Sequence, residues 1–327
     1  MRRRASTASF ATHPASRPRS ATDGPASAPA AADTGRIIAA HGRHYTVEMP
    51  DGSTRRCHPR GKRTGAAVGD LVHILPQGAD EGVIEAIMPR KNLLYRSDDM
   101  RAKQFAANVD RLFIVVAVEP TFSDDLAGRA LAGAWSAGIE PFVVLNKIDL
   151  NGPGLTAARQ RLAPLARLGV PLLEVSAQDA AQAIAVLTPY LRGHVSLLLG
   201  QSGMGKSTLL NLLVPHAHAA TREHSAALDM GKHTTTSTRL YHVPTGGDLI
   251  DSPGFQAFGL QHLTHEDIVR GFPEFAAHTA HCRFYNCTHR HEPGCGVLAA
   301  LKAGVIEPAR HELYQRILAD SLAQPRY

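Results

Sequence analysis

Gly200-Gln201-Ser202-Gly203-Met204-Gly205-Lys206-Ser207 is the stretch that decides the fold. It fits the spacing G-x-x-x-x-G-K-[ST], in which backbone N–H groups wrap a phosphate. Lys206 then reaches the β/γ-phosphates and the Ser207 hydroxyl ligates Mg²⁺. Val195-Ser196-Leu197-Leu198-Leu199 before it reads as a buried strand. Thr208-Leu209-Leu210-Asn211-Leu212-Leu213 after it reads as a helix whose N-terminus favours anions. The loop begins only at position 200 of 327 residues, and a motif that normally follows it lies upstream.

That motif is Asn146-Lys147-Ile148-Asp149, directly after the apolar run Pro141-Phe142-Val143-Val144-Leu145. At a strand end N-K-x-D reads guanine. The Asp149 carboxylate accepts from the base N1–H and the exocyclic amine, Asn146 bonds the opposite edge, and the Lys147 stem lies over the ring. Alone, the four residues fit a strand-end turn equally well; beside a phosphate loop they point to a nucleotide. Ser176-Ala177, after Leu172-Leu173-Glu174-Val175, matches the short loop that supports guanine O6 through a backbone N–H. Asp251-Ser252-Pro253-Gly254 follows Leu249-Ile250; there Asp251 holds Mg²⁺ through water and the Gly254 N–H meets a γ-phosphate. Between loop and Asp lies Lys232-His233-Thr234-Thr235-Thr236, where a switch threonine covers the Mg²⁺; Thr235 is favoured.

Base reader, Ser-Ala, phosphate loop, threonine switch and Asp-x-Pro-Gly therefore run in a circularly permuted order. Such an order leaves the site intact in space because domain termini commonly lie close together. The chain resembles the RsgA (YjeQ/YloQ) family of circularly permuted GTPases that depend on the small ribosomal subunit. The resemblance spans about residues 34–320. It rests on the motif order, on Gly231-Lys232-His233-Thr234-Thr235-Thr236, on Ile250-Asp251-Ser252-Pro253-Gly254-Phe255, and on a C-terminal cysteine cluster. It implies an N-terminal OB-fold barrel, a permuted GTPase domain with a doubly wound sheet, a C-terminal helical zinc domain, and a role in late maturation of the small subunit. The expected boundaries are a disordered tail at 1–33, the barrel at 34–95, the GTPase domain at 96–262 and the zinc domain at 263–327.

The residues agree with that division. Residues 1–33 are rich in Ala, Ser, Pro and Arg without periodic apolar positions, which predicts disorder. A transit peptide has a similar composition, but an extension of a cytoplasmic protein is preferred, and no apolar segment suggests a secretory signal. Short strands between turn signals at Pro50-Asp51-Gly52, Gly69-Asp70 and Gly82 suit a small five-stranded barrel. Arg55, Arg56, Arg60, Lys62 and Arg63 suit phosphate-backbone contact or a merely solvated face, and the resemblance favours rRNA. Arg90-Lys91-Asn92-Leu93-Leu94-Tyr95-Arg96 reads as a link into the GTPase domain.

Cys282, Cys287 and Cys295 fall within fourteen positions with His289 and His291 among them, beside His281. This donor density suits a closed tetrahedral Zn²⁺ site rather than a disulfide with a spare thiol. On composition His281 and His291 rival His289; the family spacing C-x₄-C-x-H-x₅-C implies Cys282, Cys287, His289 and Cys295. Flanking stretches 264–280 and 298–323 read as helices, with Arg310, His311 and Arg316 on an exposed face.

With 44% hydrophobic and 20% charged residues the composition is that of an ordinary globular protein. No apolar run is long enough to span a bilayer. A net charge of +6 permits an anionic partner. The expectation is a monomer that holds GTP or GDP with Mg²⁺ and one structural Zn²⁺, and that binds the small subunit and its rRNA. Phe255 stands where many small GTPases carry a water-orienting glutamine. Hydrolysis should therefore be slow until another group is supplied, and His233 is the in-chain candidate. The competing function is a GTP-dependent zinc metallochaperone.

Overall fold

The computed structural model describes residues 33–61, 65–98, 101–215, 217, 238–252 and 260–323, with the backbone path alone at 96–98 and 101–103. The N-terminal tail, Lys62, Arg63, His233, Thr234, Thr235, Thr236 and Gly254 lie outside the described residues, as do Phe255 and Gln256.

Five short strands come first: β1 (Asp33–His41), β2 (His44–Glu48), β3 (Thr54–Pro59), β4 (Leu71–Pro76) and β5 (Glu81–Ile87). β1 pairs β2, β2 pairs β3, β3 pairs β5 in parallel, β5 pairs β4, and β4 returns to β1. The ring closes as 1-2-3-5-4, which is the OB-fold barrel. Alternation along each strand buries Ile37, Val47, Cys57, Val72, Ile74 and Ile84 completely in its core. Burial pushes the Cys57 thiol up to about 11, so it behaves as a small apolar side chain. Asp70, fully buried, is clasped by Arg90 at 2.7 Å through both Nε and Nη2 and accepts from the Ala67 N–H. That clasp ties the end of the barrel to the chain leaving it.

The link expected after Arg90 is instead a hairpin, β6 (Leu93–Asp98) with β7 (Arg101–Ala107). Its polar residues hide the period-two signal.

The second layer holds β8 (Arg111–Ala117), α1 (Asp124–Ser136), β9 (Glu140–Asn146), α2 (Pro153–Arg167), β10 (Leu172–Glu174), α3 (Ala180–Leu191), β11 (Val195–Gly200), α4 (Lys206–Leu213), β12 (Arg239–His242) and β13 (Asp248–Asp251). Strand order is β10-β9-β8-β11-β13-β12, parallel except for β12. Phe113, Ile114, Val143, Val144, Leu197 and Leu199 are buried on both faces, as parallel strands between helices require.

β12 also pairs antiparallel with β1, at Ala39 opposite Arg239, so the layer and the barrel share one eleven-stranded sheet. Polar contacts brace the seam. Asp248 meets Arg36 at 2.5 Å and His242 at 2.6 Å, and His242 reaches Glu48 of the barrel at 2.7 Å. Burial alone would lower the His242 pKa, but the two carboxylates outweigh it and raise it.

The C-terminal stretch breaks into α5 (His265–Arg270), a 3₁₀ turn (Pro273–Phe275), α6 (Ala276–Thr279), α7 (Gly296–Lys302) and α8 (Pro308–Ala323). α5 starts on a capping box: Thr264 Oγ1 accepts from the Asp267 N–H, and Asp267 accepts from the Thr264 N–H. α8 packs on α1 through Leu313, which fills the space a Cβ on Gly128 would need. Asp125 with Arg316, and Arg129 with Asp320, add ion pairs across that contact. Arg310 and His311 are buried, contrary to the exposed face expected of them. Arg310 finds Glu274 at 2.7 Å, and His311 Nε2 donates to the His289 carbonyl at 2.7 Å. A partner remote in sequence makes each polar group tolerable inside.

Candidate functional site

Apart from the threonine switch, the described residues of each motif lie at the carboxyl end of a strand, where doubly wound sheets bind ligands; of Asp-x-Pro-Gly these are Asp251 and Ser252. β11 ends at Gly200 and α4 begins at Lys206, so the phosphate loop joins them directly. Gly205 has φ +91°, and a Cβ there would stand 2.2 Å from Asn146 Nδ2; only glycine fits. Lys206 Nζ folds over the loop, donating to the carbonyls of Gly200 (2.5 Å) and Gln201 (2.9 Å). Burial lowers the Lys206 pKa against the opposing pull of Asp251. Ser207 and Thr208 stand exposed on the first turn of α4.

Asp251 closes β13. Burial pushes its carboxyl up to about 6, although Lys206 and the Ser252 N–H work the other way. The Ser207 hydroxyl and the Asp251 carboxylate are oxygen donors of the kind Mg²⁺ takes.

The N-K-x-D loop is tied into place on three sides. Asn146 is buried; its Nδ2 donates to the Met204 carbonyl (2.9 Å) and its Oδ1 accepts from the Ala177 N–H (3.1 Å). Both ends of that amide are thus engaged, and Asn146 fastens the phosphate loop to the Ser-Ala loop. Lys147 adopts φ +64° and sends Nζ to the Glu119 carbonyl at 2.8 Å, so its stem bridges two loops. Ser176 Oγ donates to Asp149 Oδ1 at 2.5 Å. Ile148 follows with its N–H on the Val175 carbonyl.

Three supporting groups carry no sequence motif. Gln182 holds the Ser176 N–H, Glu119 receives Lys147, and the Ser123 N–H donates to Gln201 Oε1 at 2.7 Å. Ser123 is also the N-cap of α1, accepting from Leu126. These partners are remote in sequence, so only the fold reveals them.

A second cluster forms where Cys282, Cys287, His289 and Cys295 bring their ligand atoms within 4.8 Å of one another. Cys282 Sγ lies 3.9 Å from Cys295 Sγ and 3.6 Å from His289 Nδ1, and Cys295 Sγ is 3.4 Å from the same nitrogen. A tetrahedral ion with metal–sulfur bonds of ~2.3 Å calls for edges of about 3.8 Å, so the donors fit such an ion. His281 and His291 lie outside the cluster.

The chain around it is built to hold those positions. Glu292 accepts from the N–H groups of Thr288 (2.8 Å), Arg290 (3.0 Å) and His291 (3.2 Å), and from the Thr288 hydroxyl. Although burial opposes it, this set holds the Glu292 carboxyl far below the usual range. Tyr314 donates to the Thr288 carbonyl at 2.8 Å. Burial pushes the Cys287 thiol up to about 12 and lowers the His289 pKa, which keeps the imidazole in its neutral, ligating form.

The RsgA GTPase family profile matches residues 87–261. The chain is 74% identical to the small ribosomal subunit biogenesis GTPase RsgA of Bordetella pertussis over 294 residues, 90% of this chain and 98% of that one. Its counterpart in Burkholderia pseudomallei is 58% identical, over 88% of this chain and 92% of the relative. Among solved structures, YjeQ from Thermotoga maritima aligns with a TM-score of 0.68 at 30% identity, covering 90% and 99% of the two chains. The circularly permuted GTPase YloQ aligns at 0.65 and 25%, covering 93% and 100%. With its N-K-x-D and phosphate-loop motifs at the carboxyl end of one sheet and its motifs in permuted order, the chain belongs to the RsgA GTPase family.

Proposed function

We propose that this protein hydrolyses GTP on the small ribosomal subunit and assists that subunit's late maturation. The observation that carries the reading is the adjacency of the phosphate loop and base reader through Asn146, in a chain 74% identical to a small-subunit biogenesis GTPase. Backbone N–H groups of residues 201–206 and Lys206 hold the phosphates. Asp149 selects guanine, supported by the Ser176-Ala177 loop. Mg²⁺, when bound by Ser207, Asp251 and Thr235, neutralises charge on the β/γ oxygens. Gly254 meets the γ-phosphate, and His233 is the candidate group that aids the attacking water. Cys282, Cys287, His289 and Cys295 hold one Zn²⁺ with no open position, a structural role that disfavours delivery of the metal to a client.

The proposed division keeps the barrel at 34–95, the GTPase domain at 96–262 and the zinc domain at 263–327. Arg55, Arg56 and Arg60, with Lys62 and Arg63, offer rRNA phosphate contacts. The reading places the protein in the cytoplasm as a monomer; among the described residues no helix is long and apolar enough to cross a membrane.

GTP turnover measured with and without purified small subunits, at two salt concentrations, tests this. Stimulation of at least ~10-fold is expected from a partner that supplies the missing water-orienting group. It should weaken at the higher salt as phosphate contacts are screened. No stimulation at either salt refutes the reading.

A further inference from the structure

One side chain outside every motif stands behind the N-K-x-D and Ser-Ala loops. Gln182 lies in the first turn of α3, where its backbone N–H donates to the N-cap Asp179 at 3.0 Å. Its side-chain amide turns back to the end of β10 and staples the chain there at two points. Nε2 donates to the Glu174 carbonyl at 2.9 Å, and Oε1 accepts from the Ser176 N–H at 3.2 Å. These partners fix which way the amide faces, because a carbonyl only accepts and a backbone N–H only donates.

What the staple holds is Ser176. That residue is buried; its Oγ accepts from the Gln178 N–H at 3.2 Å and donates to Asp149 Oδ1 at 2.5 Å. Asp149 itself is exposed. The last torsion of an aspartate is broad, so an exposed carboxylate turns over a wide arc unless something grips one oxygen. Ser176 supplies that grip. Orientation matters because the guanine N1–H and exocyclic amine lie side by side on one edge of the base. Two carboxylate oxygens accept from both only when the carboxylate is close to the plane of the base, as in other bidentate pairs. Twisted out of that plane, the carboxylate keeps one bond and loses the other.

We infer that Gln182 is a positioning residue for guanine specificity: through Ser176 it sets the plane of the Asp149 carboxylate, and with it the discrimination against bases that lack the 2-amino group. The inference rests on Asp149 as the reader of guanine.

The test compares dissociation constants of GDP and inosine diphosphate, which lacks only that amine, on the full chain with Mg²⁺. The parent should prefer GDP by ~10-fold or more, the value of a hydrogen bond to a charged acceptor. Gln182→Leu removes both staple bonds and should cut that preference at least ~5-fold, chiefly by weakening GDP. With GTP as substrate the loss should fall on KM, while kcat stays within ~2-fold of the parent. If the leucine variant does not fold, Gln182→Met, unbranched and a good helix former, carries the same expectation. Ser176→Ala should remove the preference by itself, and adding Gln182→Leu to it should cost nothing more. A preference in Gln182→Leu within ~2-fold of the parent overturns the inference. So do effects of the two substitutions that multiply, or a fall in kcat as large as the rise in KM. A parent that binds both nucleotides equally refutes Asp149 as the guanine reader, and this inference with it.

Discussion

Asp149→Asn lowers GTP affinity by about 10²–10⁴-fold and transfers preference to xanthosine triphosphate. Two hydrogen bonds from the guanine N1–H and amine to a carboxylate are each worth about 1.5–3 kcal/mol, and their sum gives that range. An amide in place of the carboxylate presents an N–H to the amine and repels it. Xanthine carries a carbonyl at that position and accepts from the new N–H. The supporting geometry should survive, because the remaining amide oxygen can still accept from Ser176 Oγ, which now meets Asp149 at 2.5 Å. Titrations with fluorescent derivatives of both nucleotides check the result. GTP affinity within ~3-fold of the parent would remove Asp149 from the base site.

The other large effect is loss of metal from the C-terminal cluster. Removing zinc by chelation, or one ligand by Cys287→Ala, should unfold residues 282–295 and loosen α7 and α8. Such a site contributes on the order of 10 kcal/mol to the folding of its segment. Nothing else on that segment approaches this. The anchors behind the site, His311 on the His289 carbonyl and Tyr314 on the Thr288 carbonyl, only work while the loop is held in place. Elemental analysis should show about one zinc per chain in the parent and none in the variant. Thermal unfolding should acquire an early phase that reports the C-terminal helices. A variant that lost the metal yet melted in one unchanged transition would show the cluster to be dispensable for the fold.

Much of the candidate site is legible in the sequence because its motifs sit at strand ends, where the motif residues are contiguous. Gly200 to Ser207 and Asn146 to Asp149 each announce themselves in one short run. Turn residues around Gly52, Gly69 and Gly82 likewise mark the barrel strands. What escaped depends on partners far along the chain. The ties of the Asn146 amide to the Met204 carbonyl and the Ala177 N–H join three loops that no local pattern connects. Arg310 and His311 look like surface residues until Glu274 and the His289 carbonyl are brought to them. The β6–β7 hairpin has no alternation of apolar residues to betray it, and the helix breaks at Gly271 and Gly304 fall inside stretches that otherwise read as continuous.

The join between β12 and β1 has a further consequence. An outer strand of a sheet exposes a row of unpaired N–H and C=O groups, which invites another chain to add on. Here β1 covers that row at Ala39 opposite Arg239, and the brace of Arg36, Asp248, His242 and Glu48 holds the barrel against it. The barrel thus serves the GTPase layer as a built-in guard against self-association. A fragment trimmed to begin after residue 95 would bare β12 and become prone to aggregate, however complete its nucleotide loops.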